Sequence, residues 1–174
     1  EELANSRPDV PFKKRFSATR DRVGALRAAW TQDEASYSSH YDNFQPSFIY
    51  PKPHNGLVPL AMGQAGPVGI NHSAEYADEW CPIDISLVGV SGEQSVEGGI
   101  ALFHRELEAV GRDPKSVPIS LFTWTRPKKE RLEQLEKLGV HRLVLTPPSM
   151  RREDDDQSLK FLDECESVLE EFRT

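Results

Sequence analysis

The sequence is poor in cysteine, in positive charge and in long apolar runs, and each shortage excludes a class of protein. Among 174 residues the cysteines are Cys81 and Cys165, far apart and outside any CxxC spacing, which excludes a disulfide-dense secreted domain. Reduced thiols in a cytoplasmic protein are the expected state, although one disulfide between the two stays open. The net charge of −7 and the pI near 5.3 argue against a nucleic-acid partner, which needs a basic face. No apolar run approaches the ~20 residues that cross a bilayer, so no membrane association is expected.

The sequence also lacks the motifs of several common chemistries. Its five histidines form no HxxxH or HxH pair, so no metal site is expected. No GxSxG sequence and no Cys/His arrangement indicates a covalent nucleophile. Gly63, Gly66 and Gly69 have neither the spacing of the dinucleotide-binding fingerprint nor that of a Walker loop. Nothing in the sequence singles out a catalytic acid or base.

What the sequence does contain fits one soluble globular domain over residues 1–174. Hydrophobic residues make up 37% and charged residues 28% of the chain, and this length can bury a core without disulfides or metals. The chain begins at Glu1 with neither an initiator methionine nor a signal-peptide pattern. That start indicates either a removed segment or a part of a longer sequence.

The first third of the chain divides into a helix and a long irregular segment. Apolar residues recur at helical spacing from about Lys14 to Trp30. Residues 31–57 are rich in Ser, Asp, Asn, Pro and aromatics without a sustained period, and loops of that length inside compact domains tend to be functional. Aromatic residues in this segment either line a substrate or partner surface or hold the segment in place. They are Tyr37, Tyr41, Phe44, Phe48 and Tyr50.

The remainder alternates short apolar strands with longer amphipathic helices. The expected strands span residues 57–62, 83–90, 117–123 and 140–146, and the expected helices span 66–78, 96–110, 127–138 and 156–172. Such alternation indicates βα units and a parallel sheet. A (β/α)₈ barrel needs eight units, so the four units here predict either an open sheet or half of a barrel.

The turn after the first expected strand is the most suggestive local feature. The sequence Met62–Gly69 follows a strand and opens a helix. Its glycines let the backbone approach a ligand, while the N–H groups of the helix face an anion. A phosphate cradle is one interpretation. The other is a strand–helix turn whose glycines satisfy backbone geometry alone.

Further segments match, in order and spacing, the motifs of one known family. They are Arg20–Val23 followed by Leu26–Thr31, then Tyr50–Pro53, Val58–Gly63, Ala74–Trp80, Gly111–Pro114 and Gly139–Leu145. Together they resemble the luciferase-like monooxygenase superfamily, particularly its deazaflavin-using branch. Ala74–Trp80, for example, is similar to a helix end that the family usually has as a-x-Y-A-D-G-W. The similarity spans nearly the whole chain, from about residue 1 to residue 172.

The resemblance implies a fold. The family is built on a TIM barrel, and this chain corresponds to its later part, starting just after the fourth strand. The expected fold class is therefore α/β, a partial (β/α)₈ barrel with about the last four βα units. Residues 1–57 would form the helix and the long excursion, and residues 58–174 the βα units. The resemblance thus implies that the early strands, which supply much of the flavin-ring pocket in relatives, would be absent here.

The resemblance also implies where ligands bind. Relatives commonly hold part of the cofactor's phosphate or tail at a turn that corresponds here to Gly63, Gln64, Ala65 and Gly66. Gln64 stands where a second glycine is usual, and Val68 where an arginine is usual. In a barrel the ligand face lies at the carboxyl ends of the strands. That position nominates Thr123, Trp124, Thr146 and Pro147 for the substrate.

The implied function is an oxidoreductase that transfers hydride or oxygen through a deazaflavin (coenzyme F420) or FMN to a small organic substrate. Two alternatives stay open. A non-catalytic half-barrel would act as a structural or interaction module, forming a homo-oligomer or pairing with a missing N-terminal half across its uncovered edges. An independent open-sheet domain would bind a phosphorylated ligand at Gly63–Gly66.

Overall fold

The structure, a computed structural model, describes residues 10–92, 95–126, 128–147 and 155–173. The chain divides into two compact units, Glu1–Pro59 and Leu60–Thr174, and each unit is described by itself. That residues 1–174 form a single domain stays a prediction. Among the described residues, no helix combines the length and the apolar character needed to span a bilayer.

The first unit consists of a helix and a β-hairpin. Helix α1 (Arg15–Thr31) confirms the helix expected from Lys14 to Trp30. The expectation of an irregular excursion over residues 31–57 is wrong, because strands β1 (Glu34–Ser38) and β2 (Asn43–Phe48) form an antiparallel pair. The sequence of the two strands shows no alternation of apolar and polar residues that would predict a hairpin. Such alternation is not needed here, because Ala35 is the one buried residue of the two strands.

Polar contacts and one aromatic ring join the hairpin to helix α1. The amide of Tyr41 donates to the Asp21 carboxylate at 3.0 Å. Gly24 leaves room for the Tyr37 ring, since a Cβ on Gly24 would lie 2.2 Å from the Tyr37 hydroxyl oxygen. Tyr37 therefore holds the hairpin against the helix. Tyr50 remains 60% exposed, so the aromatic residues of this segment do not share one role.

The second unit is a four-stranded parallel sheet with a helix after each strand. Its strands β3 to β6 are Ala61–Met62, Glu79–Trp80, Ile119–Thr123 and Val140–Leu145, hydrogen-bonded in that order. Its helices α2 to α5 are Pro67–Tyr76, Val96–Ala109, Lys129–Lys137 and Asp155–Arg173. The predicted α/β fold with four βα units is therefore confirmed. Residue 127, which was expected to open helix α4, lies outside the described residues.

The core of this unit lies between the sheet and helices α2 and α3. The Trp80 ring stacks on Phe103 of α3, with ring centroids 4.1 Å apart, and Ile119 is also fully buried there. Gly99 permits a close approach, since a Cβ at this position would lie 2.7 Å from the Leu87 Cβ. Burial of these apolar side chains is the main source of stability for the sheet–helix layer.

The second strand is not where the sequence predicted it. The expected strand at residues 83–90 is wrong, since residues Asp84–Leu87 form a 3₁₀ turn and the strand is Glu79–Trp80. The amide of Ser86 donates to the Ile83 oxygen at 3.0 Å and closes the turn. The Asp84 side chain accepts from the amide of Ile85 at 2.6 Å, a local bond that competes with strand pairing. Ile83 keeps one parallel bridge to Phe122. The first strand is also shorter than expected, two residues instead of six.

Candidate functional site

The carboxyl ends of the four parallel strands lie along one edge of the sheet. In barrels built from such sheets this edge is the ligand-binding one. The residues that follow the four strands are Gly63, Cys81, Trp124 and Thr146. The nominated residues thus lie at two places on this edge, the turn after β3 and the ends of β5 and β6, with β4 between them.

The turn after β3 is held from the side of strand β4. The indole nitrogen of the buried Trp80 donates to the backbone oxygen of Gln64 at 2.8 Å. The amide of Cys81 donates to the Met62 oxygen at 2.9 Å. A Cβ on Gly63 would lie 3.4 Å from the Cys81 oxygen, so glycine keeps this approach unstrained. The turn is fixed by these bonds before any ligand arrives.

Helix α2 begins at this turn and leaves its N-terminus uncapped. Gly66, the residue before the helix, has φ 106° and no side chain with which to cap the first turn, and a Cβ added to Gly66 would meet no atom within 4 Å. Pro67 at the first position has no N–H. The amides of Val68 and Gly69 have no acceptor within the helix, as is general for a first turn. This arrangement suits an anion.

Gln64, a residue of this turn, has an unsatisfied side-chain acceptor. Its side-chain oxygen Oε1 is buried and has no hydrogen-bond partner in the part of the chain that the structure describes. A buried acceptor without a donor costs about 1–3 kcal/mol. A ligand N–H or hydroxyl group would satisfy it. The turn therefore has open donors at the start of the helix and one unsatisfied buried acceptor on Gln64.

The ends of β5 and β6 bring the other nominated residues together. The amide of Thr146 donates to the Thr123 oxygen at 3.0 Å. The buried Thr123 hydroxyl donates to Asp84 at 2.5 Å and accepts from the amide of Thr125 at 2.9 Å. The Trp124 side chain is 56% exposed. The roles of Gly63–Gly66, Trp124 and the two threonines as ligand contacts stay predictions.

A cavity of about 200 Å³ adjoins this end of β5. It is lined by Thr123, Asp84 and Arg131 among others, and it is smaller than the roughly 300–1,000 Å³ of sites for organic ligands. Arg131 forms an ion pair with Glu97. The hydrogen bond that Arg131 donates is the main reason why the pKa of the Glu97 carboxyl lies below its ordinary value. A backbone hydrogen bond to Glu97 lowers this pKa further.

A polar cluster on the other face of the sheet was missed by the sequence analysis. Ser120 and Arg142 both donate to the same carboxylate oxygen of Glu79, Arg142 at 3.4 Å. Side chains alternate along a strand, so Ser120 points away from the helices that cover Ile119. Burial raises the pKa of the neighbouring Cys81 thiol, the Glu79 charge raises it further, and Arg142 opposes both.

Metal and disulfide chemistry have no support among the described residues. No group of three or more His, Cys, Asp or Glu side chains there is placed to hold a metal ion. Cys81 is half-buried, Cys165 is buried, and both are free thiols. The disulfide that the sequence left open is therefore not formed in this structure.

A comparison with known families identifies the family of this chain. The sequence profile described as luciferase-like monooxygenase matches residues 3–164. The chain belongs to this family. The resemblance predicted from the ordered motifs is confirmed, and family membership covers both units of the chain.

Similar proteins extend this finding. An uncharacterised protein of Mycobacterium tuberculosis strain H37Rv is 28% identical over 148 residues, which are 83% of this chain and 49% of that protein. An F420-dependent glucose-6-phosphate dehydrogenase of Gordonia bronchialis is 25% identical over 104 residues, 58% of this chain and 30% of that enzyme. The chain thus spans half or less of the length of these relatives.

A solved structure shows the same fold. The coenzyme F420-dependent tetrahydromethanopterin reductase of Methanopyrus kandleri superposes with a TM-score of 0.65 at 12% identity. The superposition covers 90% of this chain and 63% of that one. The predicted fold, a partial (β/α)₈ barrel, is confirmed.

Proposed function

We propose that this chain is part of an oxidoreductase that transfers a hydride between coenzyme F420 and a small organic substrate. The observation that carries the proposal is the open N-terminus of helix α2 behind the Gly63–Gly66 turn, in a chain of this family. Two proteins similar to this chain are named as F420-dependent enzymes, which favours the deazaflavin over FMN.

The residues of the turn fit the phosphate-bearing part of either cofactor. The amides of Val68 and Gly69 would donate to a phosphate oxygen, and the helix dipole would favour its charge. The missing side chain of Gly66 leaves the space in which that group would lie. Gln64 Oε1 would accept from a hydroxyl of the cofactor chain, which would satisfy this buried atom.

The cofactor, when bound, supplies the two-electron chemistry. The protein would therefore bind the cofactor and the substrate, orient them and shield them from water. Trp124, Thr123 and Thr146 are the residues we propose for the substrate side. Thr123 has its hydroxyl proton committed to Asp84, so a substrate group would have to donate to it. The Trp124 side chain is free to cover apolar substrate surface, since it is 56% exposed.

Substitution of Val68 tests the phosphate site without threatening the fold. Val68 is 56% exposed in the first turn of α2, where an acidic side chain stabilises a helix. Val68→Asp should therefore leave thermal stability unchanged or raised. It should weaken cofactor binding roughly fivefold or more through like-charge repulsion, and Val68→Lys should strengthen it.

The measurement is titration of the intact protein with F420 and with FMN, followed by cofactor fluorescence. Val58→Asp is the matched control, since Val58 is an exposed valine of the first unit, 45% accessible, and should leave affinity unchanged. Binding of FMN but not F420 would contradict the choice of the deazaflavin and identify FMN as the cofactor. Failure of the intact protein to bind either cofactor, or equal affinity in both Val68 variants, would contradict it.

A second candidate is a half-barrel that acts by association. Within the described residues β3 and β6 each have one neighbouring strand, and Phe122 and Val144 lie half-exposed on the sheet face opposite the helices. Such edges and faces favour pairing with a second copy or with the first half of a barrel. A monomer by sedimentation at micromolar concentration, without dye binding to apolar surface, would contradict this candidate.

A further inference from the structure

The opposite edge of the same sheet carries a larger cavity. It has a volume of about 500 Å³ and lies where the chain enters strands β5 and β6, beside His104 of helix α3 and Gly139. This volume falls within the range of roughly 300–1,000 Å³ for small-molecule sites. The Gly63–Gly66 turn lies at the other ends of the strands, so this cavity is separate from the proposed cofactor site.

The polar groups of the cavity are mainly cationic or basic. Lys115, Lys137, His104 and His141 line it together with one carboxylate, Glu136. With neutral histidines these side chains carry a net positive charge, which favours an anion. Among the described residues, no hydrogen bond or ion pair involves the Nζ atoms of the two lysines or the imidazoles of the two histidines.

His104 is the most enclosed of these groups. It is half-buried, and a Cβ on Gly139 would lie 3.8 Å from its Nε2 and Cε1 atoms. The ring edge therefore lies beside the Gly139 turn. Burial lowers the pKa of His104, with Glu108 opposing, so at neutral pH the uncharged ring offers one donor and one acceptor.

The remaining walls of the cavity are apolar, so a matching ligand has an apolar part as well as a charged group. Pro118 and Val140, both half-buried, line the cavity together with the buried Val117. A bare inorganic ion would leave this surface in contact with water. An organic anion would cover it, at roughly 25 cal/mol for each Å² of apolar surface removed from water.

We propose that this cavity binds a small organic anion, a carboxylate or a phosphate monoester on a compact apolar body. Lys115 and Lys137 hold the charge, and His104 donates to or accepts from the ligand at the enclosed end. The site does not depend on the proposed redox function, since none of its residues belongs to the edge at which the cofactor would bind.

The test uses three probes that share a ring and differ in charge: benzoate, phenyl phosphate and benzyl alcohol. NMR spectra of the intact protein follow the imidazole signals of His104 and His141 and the amide of Gly139. Saturable shifts with benzoate or phenyl phosphate, and none with benzyl alcohol, support the proposal. The anion that binds more tightly identifies which acid group, carboxylate or phosphate, the cavity prefers. Absence of saturation below about 10 mM, or equal shifts with benzyl alcohol, overturns it.

Lysine variants show whether these side chains are the cause. The Lys115→Ala and Lys137→Ala substitutions should each weaken binding up to about fivefold, and more together. Both lysines are exposed, so thermal stability should change little, although Lys137→Ala removes a cation from the last turn of helix α4. Lys160→Ala on helix α5 is the matched control and should change nothing. Unchanged affinity in the double variant overturns the proposal.

Discussion

The hydroxyl of Thr123 donates to a carboxylate oxygen of Asp84 at 2.5 Å, and this bond ties the end of strand β5 to the turn that follows β4. The same hydroxyl accepts from the amide of Thr125 at 2.9 Å. A threonine hydroxyl has one proton and two lone pairs. One lone pair therefore remains, and the candidate substrate end of the sheet is ordered before a ligand binds.

Replacing Thr123 by valine should lower stability. Thr123 is 5% exposed, so Thr123→Val keeps the shape and leaves Asp84 and the Thr125 amide without their partner. The expected loss is about 1–3 kcal/mol in the free energy of unfolding, measured by urea denaturation. Thr31→Val is the control, since the exposed Thr31 hydroxyl bonds to a carbonyl of its own helix. Equal losses in both variants would contradict the role assigned to Asp84.

Long periodic elements were predictable from the sequence, and short ones were not. Helix α3 ends at Ala109 and is followed by Gly111 at φ 76°, close to the expected span of 96–110, because an apolar stripe and a terminal glycine are local features. Strand β4 is only Glu79–Trp80. Two residues carry no period, so pairing with β3 and β5 defines this strand.

The candidate site was predictable in place but not in detail. The Gly63–Gly66 turn was located because a strand-to-helix transition with glycines is a sequence pattern. The Glu79–Arg142 pair joins residues 63 positions apart. Its formation depends on the register of β4, β5 and β6, which no single segment encodes.

Cys81 should be alkylated slowly, and neighbouring charges should move its rate in opposite directions. Its raised pKa means that less thiolate is present at a given pH. In a Cys165→Ser background, Glu79→Gln should speed reaction with iodoacetamide at pH 8 by about twofold or more, and Arg142→Gln should slow it.

The rates of Cys81 alkylation are measured by mass spectrometry of the modified peptide. Glu130→Gln, a change in helix α4, is the control and should leave the rate unchanged. A rise in both the Glu79 and the Arg142 variant would indicate greater exposure of the thiol, and would contradict the electrostatic explanation.

We expect Arg112 to stabilise the C-terminal end of helix α2. Its guanidinium donates to the oxygens of Ala74 and Ala77, both at 2.9 Å, which are carbonyls left open where the helix stops. Arg112→Met should cost about 2 kcal/mol and speed hydrogen exchange in the last turn of α2. Arg105→Met, at an exposed arginine of α3, should do neither, and protection of α2 unchanged by Arg112→Met would refute the assignment.

The Glu97–Arg131 pair should make stability depend on pH in a defined direction. The pKa of Glu97 is held below its ordinary value, chiefly by the Arg131 hydrogen bond. Its contribution is therefore present above the ordinary pKa and is lost as pH falls through the lowered one. Because the two side chains are 41% and 34% exposed, the contribution is about 1 kcal/mol or less.

Comparison of Glu97→Gln with Glu130→Gln isolates that contribution. Both glutamates lie in the first turn of a helix, so both substitutions remove the same interaction with a helix dipole. At pH 7 urea unfolding should show Glu97→Gln to be less stable than Glu130→Gln, and the difference should shrink as the pH falls below the ordinary pKa of a glutamate and also in high salt. A difference that persisted at acid pH would mean that Glu97 acts through packing, because a protonated carboxyl no longer forms the ion pair.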